Sequence, residues 1–182
     1  YAGVAEDATQ DKLYIGGYDS LAVYTLKTAR HMDWWPCQHQ DLLLGHQFIH
    51  DTISKKLLDI YIDLKTPLVY DFSNQRWDFA LPTGRVNITG FWHANKFISS
   101  LDTSLYTFGG YGYLRYKNQV QRYHFATKKW DSLKPTGDYF SPRYLSALGA
   151  GPEGKFAYIL GGYGSQTGDQ MLDPRYYYDL LR

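Results

Sequence analysis

Short apolar runs alternate with clusters of turn-forming residues along nearly the whole chain. The runs are only a few residues long, and Gly, Asp, Asn, Ser and Pro separate them. This spacing predicts β-strands joined by tight turns, because a strand needs few residues and glycine suits such turns. Helical periodicity is weak, and only the segment 38–44 offers a helix candidate. The clearest predicted strands are 13–15, 68–70, 105–108 and 156–160.

A diglycine followed by tyrosine recurs three times. The copies begin at Gly16, Gly109 and Gly161, each directly after a short apolar run. The second and third copies are 52 residues apart, and the first two are 93 apart, which is close to two periods. One diglycine is therefore missing between them, and the apolar run 57–62 stands in its expected place. Repetition at a spacing of this size is typical of propellers and solenoids.

A tyrosine seven residues before a tryptophan is a second repeated signal. Tyr70 precedes Trp77 and Tyr123 precedes Trp130, with a polar turn between the two aromatic residues in both cases. The triplet Pro-Thr-Gly follows each pair, at 82–84 and again at 135–137. The segment 24–34 is a looser copy, and 176–179 matches the start of a fourth.

In these residues the chain resembles the kelch-repeat family of β-propellers, which includes galactose-oxidase-like proteins and bacterial proteins of unassigned function. The family repeat is about 50 residues long, with a diglycine ending the second strand, a tyrosine in the third and a tryptophan in the fourth. The segment 141–147 also resembles the family's first strand. The chain departs from the pattern where the second diglycine is missing and around 91–93, where a Pro-Arg pair is expected.

The resemblance implies an all-β, kelch-type β-propeller of about three and a half four-stranded blades. It implies one propeller domain over residues 1–182 that is part of a larger ring, completed by blades of the same longer chain or by a second copy. Second strands are expected to end at Gly16, Gly109 and Gly161. Large aromatic residues fill the space between blades, which predicts that Trp34, Trp77 and Trp130 lie in the core.

Composition and charge exclude several classes of partner. The 19 basic residues nearly balance the 18 acidic ones, which argues against a nucleic-acid-binding surface. Apolar runs fall well short of the ~20 residues that a membrane-spanning helix needs. A single cysteine, Cys37, cannot form an internal disulfide. The compartment stays open, with an extracytoplasmic one slightly favoured.

The predicted topology brings two sets of loops to one side of the propeller. Because blade strands alternate in direction, the loops after the second strands and the loops between blades open together. These loops are rich in Tyr, Arg, Gly and Asp, and loops on a rigid scaffold commonly carry recognition. The ligand-binding residues predicted there are Tyr18, Tyr111, Tyr113, Arg115, Tyr139, Arg143 and Tyr163.

Motifs for catalysis or metal binding are scarce. His46 and His50 have a spacing that could hold a metal on a helix, but no third ligand is evident. Asp169 and Asp173 lie in a loop that a calcium ion could occupy, although a solvated loop is the favoured interpretation. The triplet 87–89 fits the glycosylation acceptor pattern at close to chance level.

The sequence therefore predicts a non-catalytic binding module that presents its loops to a protein or carbohydrate ligand. It predicts no cofactor, no bound metal, no nucleic-acid partner and no membrane span. The alternative is a sugar-acting enzyme of a galactose oxidase or epimerase/mutarotase type, because propellers similar to this one include such enzymes. No motif of those sites is present, and fold alone does not imply chemistry.

Overall fold

The computed structural model describes residues 3–17, 19–36, 47–60, 66–78, 91–151 and 153–182. Its described segments contain β-strands and turns and no helix, as the apolar pattern predicts. The helix candidate at 38–44 lies outside them. The strands fall into two compact units, Tyr1–Val86 and Asn87–Arg182. No helix in the described residues is long and apolar enough to cross a membrane.

The first unit holds two four-stranded antiparallel sheets. In each sheet the strands pair in the order in which they follow along the chain, so that every connection is a hairpin. The first sheet consists of β1 (Gly3–Asp7), β2 (Lys12–Gly16), β3 (Ser20–Thr25) and β4 (His31–Pro36). The second sheet consists of β5 (Gln47–Asp51), β6 (Lys56–Ile60), β7 (Leu68–Asp71) and β8 (Arg76–Asp78).

The second unit holds two more sheets and a short hairpin. In the third sheet, β9 (Asn95–Ser99), β10 (Ser104–Phe108), β13 (Val120–His124) and β14 (Lys129–Leu133) are neighbours in that order. Between β10 and β13 the chain forms a two-stranded ribbon, β11 (Tyr111–Gly112) and β12 (Arg115–Tyr116). The fourth sheet is built on β17 (Ala157–Gly164), with β15 (Arg143–Tyr144) and β16 (Ala147–Ala150) on one side and β18 (Arg175–Leu181) on the other.

Aspartates start several of the hairpin turns. The Oδ1 atom of Asp7 accepts the backbone N–H of Thr9 at 3.0 Å, and Asp51 Oδ1 accepts that of Ile53 at 2.9 Å. Such side-chain contacts two residues ahead hold the chain in a turn. They explain why these short strands form hairpins with so few residues between them.

The diglycines have nearly the same backbone conformation in both copies that the second unit contains. Gly109 and Gly110 have φ values of 66° and 112°, and Gly161 and Gly162 have 65° and 112°. Only glycine adopts such angles without strain. The second strands end at Gly16 and immediately before Gly109, as predicted. The predicted end at Gly161 is wrong, because β17 continues to Gly164 through an irregularity in its pairing with β18.

The core of the first unit contains Trp77 where the repeats predict it. Trp77 pairs across the strands with Tyr70, is 2% exposed, and its ring centroid lies 5.0 Å from that of Phe48. In the third sheet Trp130 pairs with Tyr123 in the same way, at 5.1 Å between centroids, but it is only half-buried.

The prediction that Trp34 lies in the core is wrong. The pairing of β3 with β4 shifts between Val23 and Tyr24, so that one extra residue enters β4 and the face of the following side chains changes. Trp34 is consequently 53% exposed. Its neighbour Trp35 stacks on Tyr70 instead, with 6.2 Å between the ring centroids.

Candidate functional site

The β11–β12 ribbon is held on both sides by backbone hydrogen bonds of the second unit. On one side Trp92 N–H donates to the carbonyl of Tyr111 at 2.8 Å, and Tyr111 N–H donates back to Trp92 at 2.9 Å. On the other side Tyr116 N–H donates to the carbonyl of Gly168 at 2.7 Å. The ribbon is therefore fixed in place although it contains only two residue pairs.

The loop after β17 approaches the ribbon closely because it contains Gly168. This glycine has φ 76°, and a Cβ atom there would lie 2.9 Å from the carbonyl oxygen of Tyr116. Within the loop, the Ser165 hydroxyl donates to the Asp169 carbonyl at 2.9 Å. Strand β17 and the loop that follows it thus place residues 164–170 beside residues 111–116 of the ribbon.

A cluster of tyrosine rings packs at the base of the ribbon. Tyr111, Tyr116, Tyr144 and Tyr163 come from four different segments of the second unit. The centroid distances are 5.5 Å between Tyr111 and Tyr116, 5.3 Å between Tyr111 and Tyr144, and 5.8 Å between Tyr116 and Tyr163. Tyr176 extends the cluster at 4.9 Å from Tyr163. Rings at these distances attract one another and give a stiff aromatic surface.

Two phenols of the cluster, those of Tyr116 and Tyr144, have raised pKa values and keep their protons at neutral pH. Burial, together with a smaller effect of the neighbouring Tyr163, raises the pKa of Tyr116 to about 12. Burial also raises the pKa of Tyr144. The Tyr111 hydroxyl donates to Gln170 Oε1. Protonated phenols can stack on a ligand and exchange hydrogen bonds with it, but they are poor general bases.

Two predicted site residues are exposed and flank the 164–170 loop. Tyr139 is 60% exposed, and its hydroxyl donates to the Gln166 carbonyl at 3.2 Å. Arg115 is exposed, and its Nη2 donates to the Thr167 carbonyl at 3.3 Å. Tyr113 is 62% exposed at the tip of the ribbon. The predicted loops are therefore neighbours in the second unit, whereas Tyr18 lies outside the described residues.

Arg143 does not lie on this exposed surface as the sequence predicts. Its side chain is fully buried, and the guanidinium Cζ lies 3.9 Å from the centroid of the Tyr177 ring. The guanidinium also donates to the Gly161 carbonyl at 3.1 Å and forms a two-pronged ion pair with Asp179. Arg143 is a structural residue of the fourth sheet, because every one of these contacts is internal.

The described residues of the remaining sequence-predicted sites have no ligand-like arrangement. His50 lies on β5 and is buried, with its Nε2 atom 3.5 Å from Asp7, and His46 is outside the described residues, as is the triplet 87–89. Asp169 accepts the N–H of Met171 at 2.9 Å, and Asp173 pairs with Arg175. Among the described residues, no three His, Cys, Asp or Glu side chains come together as a metal site.

Sequence reasoning missed Tyr144, Tyr176 and Gln170 as parts of the site. Tyr144 directly follows the buried Arg143, and Tyr176 lies in a strand with three consecutive tyrosines. Nothing in the spacing distinguishes these tyrosines from those that fill the core. Only the pairing of β15 and β18 with β17 brings them to the cluster.

Comparisons with known proteins agree with the architecture. A family model described as the kelch motif matches residues 94–137, which contain the third sheet. The solved structure of YjhT is similar over 99% of this chain, with a TM-score of 0.60 and 16% identity, and this chain covers 63% of it. The hydrazine synthase of Kuenenia stuttgartiensis is similar over 88%, with a TM-score of 0.52 and 11% identity, and 43% of that chain is covered.

These findings place the chain in the β-propeller class. Residues 94–137 match the kelch motif, and the diglycines and Tyr–Trp strand pairs of the chain repeat the pattern of that motif. The two solved structures share its fold at low identity, and this chain spans less than two thirds of either one. A kelch propeller serves in general as a binding module or as the scaffold of an enzyme.

Proposed function

We propose that this chain is a non-catalytic binding module whose tyrosine- and arginine-rich loops in the second unit recognise a protein or carbohydrate ligand. The observation that carries the proposal is the aromatic cluster beside the exposed Tyr139 and Arg115. A stiff aromatic base with polar groups at its edge is the composition that binding hot spots favour. The raised pKa of Tyr116 supports binding over proton transfer.

The test is to measure binding to two probe collections, a glycan array and a random 12-residue peptide library. We expect one of them to yield ligands, and we expect Tyr139→Ala and Arg115→Ala each to weaken their binding about thirtyfold, which corresponds to the ~2 kcal/mol of a hot-spot residue. Both side chains are exposed, so that the fold should survive their removal.

Tyr158→Ala is the matched control. Tyr158 is 40% exposed and lies on the same strand as Tyr163, five residues away, or roughly 17 Å along a strand. Its removal should leave ligand binding unchanged. Equal losses in Tyr158→Ala and Tyr139→Ala, or no binding in either collection, would contradict the proposed function.

We also propose that the residues 1–182 form one propeller domain that further kelch-type blades complete. Two positions of the first unit support this. Val4 lies three residues before Asp7 and is 53% exposed, whereas Phe48 lies three residues before Asp51 and is 7% exposed. Val4 and Phe48 thus occupy equivalent positions of the first and second sheets, but Phe48 is buried and Val4 is exposed to solvent.

The fourth sheet has a similar open face within the second unit. Leu160 and Leu180 pair across β17 and β18 and are 51% and 62% exposed. Their neighbour Ile159 points to the other face and is buried. Contiguous apolar surface of this kind usually marks a site of contact. The blades would come from a longer polypeptide, with a second copy as the less favoured source.

We expect the isolated chain to self-associate through these open faces. Light scattering over a range of concentrations should show masses above 21.1 kDa, and the double variant Val4→Glu, Leu180→Glu should move them towards that mass. Leu101→Glu is the control, because Leu101 is 70% exposed in a turn of the third sheet. A monodisperse wild-type monomer with a sharp thermal transition would count against open faces.

A further inference from the structure

A histidine and an aspartate meet between the two sheets of the first unit. Asp7 ends β1 of the first sheet, His50 lies on β5 of the second, and β1 packs along β5. The Nε2 atom of His50 lies 3.5 Å from Asp7 Oδ2, and the two side chains are 2% and 0% exposed. At this point the sheets are therefore joined by two titratable groups that solvent does not reach.

The turn that follows β1 keeps Asp7 ionised. Its Oδ1 atom accepts the N–H of Thr9 at 3.0 Å and that of Gln10 at 3.3 Å. Burial alone would raise the pKa of Asp7, but the hydrogen bonds from Thr9 and Gln10, together with the nearby His50, lower it below its usual value. The carboxylate is thus charged at neutral pH, and its Oδ2 atom faces His50.

The surroundings of the His50 ring suit its neutral form. A neutral imidazole carries one N–H, and Nε2 is the nitrogen that faces Asp7, whereas Nδ1 has no hydrogen-bond partner among the described residues. The ring stacks on Tyr14, with 5.9 Å between the centroids. On β6 the residue opposite His50 is the apolar Leu57, and the buried Asp59 lies two residues further along. A second proton, on Nδ1, would therefore create a buried donor without an acceptor, which costs free energy.

The charges near the ring oppose one another. Burial is the largest influence on the pKa of His50 and lowers it below its ordinary value of 6.5. The carboxylates of Asp7 and Asp51 act against burial, because they favour a charged imidazole. The ammonium groups of Lys55 and Lys12 act in the same direction as burial. The folded chain therefore binds a proton at His50 less readily than the unfolded chain does.

We propose that the His50–Asp7 contact is a pH-sensitive joint between the first and second sheets, which weakens when His50 takes up a proton at mildly acidic pH. Because the unfolded chain takes up this proton first, the first unit loses stability as the pH falls from about 6.5 to the lower folded value. Below that value His50 adds no further loss. The inference does not depend on the proposed binding function, whose site lies in the second unit.

The first test compares melting temperatures at pH 7.5 and pH 5.5. The variant is His50→Gln, whose amide can still donate to Asp7 but does not titrate. We expect the melting temperature of the wild type to fall by about 3 °C more than that of the variant between these pH values. Both chains are measured at a concentration at which light scattering shows the monomer at either pH.

His124→Gln is the matched control. The Nε2 atom of His124 also lies 3.5 Å from an aspartate, Asp131, but these side chains are 35% and 43% exposed. The control should show the same fall in melting temperature as the wild type. The inference is overturned if His50→Gln falls as far as the wild type, or if His124→Gln removes the difference equally well.

A second test follows the proton directly in the folded wild type, so that the inference can be decided even if His50→Gln does not fold. The chemical shift of the His50 Cε1 proton is measured by NMR as a function of pH, and its midpoint should lie below 6.5. Asp7→Asn, which keeps an oxygen for the Thr9 N–H, should lower the midpoint further because it removes the attracting charge. A wild-type midpoint at or above 6.5, or a midpoint that Asp7→Asn does not lower, overturns the inference.

Discussion

Replacing Arg143 by alanine should lower the free energy of unfolding by about 3–5 kcal/mol, because it leaves a cavity and deprives buried carbonyl groups of their donor. The guanidinium is inaccessible to solvent, donates to the carbonyls of Ser141 and Gly161, and binds Asp179 with two nitrogens. Its removal deletes these bonds together and leaves a cavity beside Tyr177. Urea unfolding of the wild type and the variant measures the difference.

Substituting Asp179, the acidic partner, tests the same ion pair a second time. Asp179→Asn leaves the buried guanidinium without a counter-charge, so that a loss of similar size is expected. The hydrogen bond from Arg143 lowers the pKa of Asp179 in the folded chain. The ionised Asp179 therefore contributes its full share to the free energy of unfolding above the unfolded pKa of about 3.9. This share is lost as the pH falls through the folded pKa. In Asp179→Asn the loss of stability at low pH that comes from protonating Asp179 should disappear.

Arg122→Ala is the control for the ion pair. Arg122 donates to Asp131 at 2.8 Å, but both side chains are partly exposed, and exposed ion pairs contribute about 1 kcal/mol or less. If Arg122→Ala and Arg143→Ala cost the same, the structural role assigned to Arg143 is wrong. If Arg143→Ala leaves stability unchanged but weakens ligand binding, Arg143 is a ligand-binding residue, as the sequence predicts.

The repeats could be predicted because their signals are local. A diglycine needs a backbone that only glycine adopts, and the Tyr70–Trp77 spacing fits one hairpin. These features depend on neighbours within a few residues, so that the sequence alone carries them. The strand content and the kelch class followed from them.

Two failures have the opposite origin, because they depend on contacts between distant segments. Arg143 lies four residues after the exposed Tyr139, and only its pairing with Asp179 shows that it is buried. The tyrosine cluster collects rings from segments up to 65 residues apart, from Tyr111 to Tyr176. The prediction for Trp34 fails for a local reason, because no periodicity in the sequence reveals the bulge that turns this side chain outward.

Two tryptophans of the first unit should consequently respond very differently to truncation. Trp77→Ala should cost about 3–5 kcal/mol, because the ring is 2% exposed and packs against Phe48 and Tyr70. Trp34→Ala should cost less than about 1 kcal/mol, since surface substitutions away from packed features have small effects. Urea unfolding measures both losses in the same chain, at a concentration low enough for light scattering to show the monomer, because self-association through the open face would cover Trp34.

The contrast also tests the open face of the first sheet. Trp34 pairs with Ala22 in the same row as Ile15 and the exposed Val4. A further blade packed there would bury the indole, and Trp34→Ala would then cost far more in a longer polypeptide than in this chain. Tryptophan emission provides the second measurement, because a water-exposed indole emits at longer wavelength and its contribution should vanish in Trp34→Ala. Equal losses of stability in Trp34→Ala and Trp77→Ala would mean that Trp34 is covered in this chain, and that the bulge in β4 does not turn it outward.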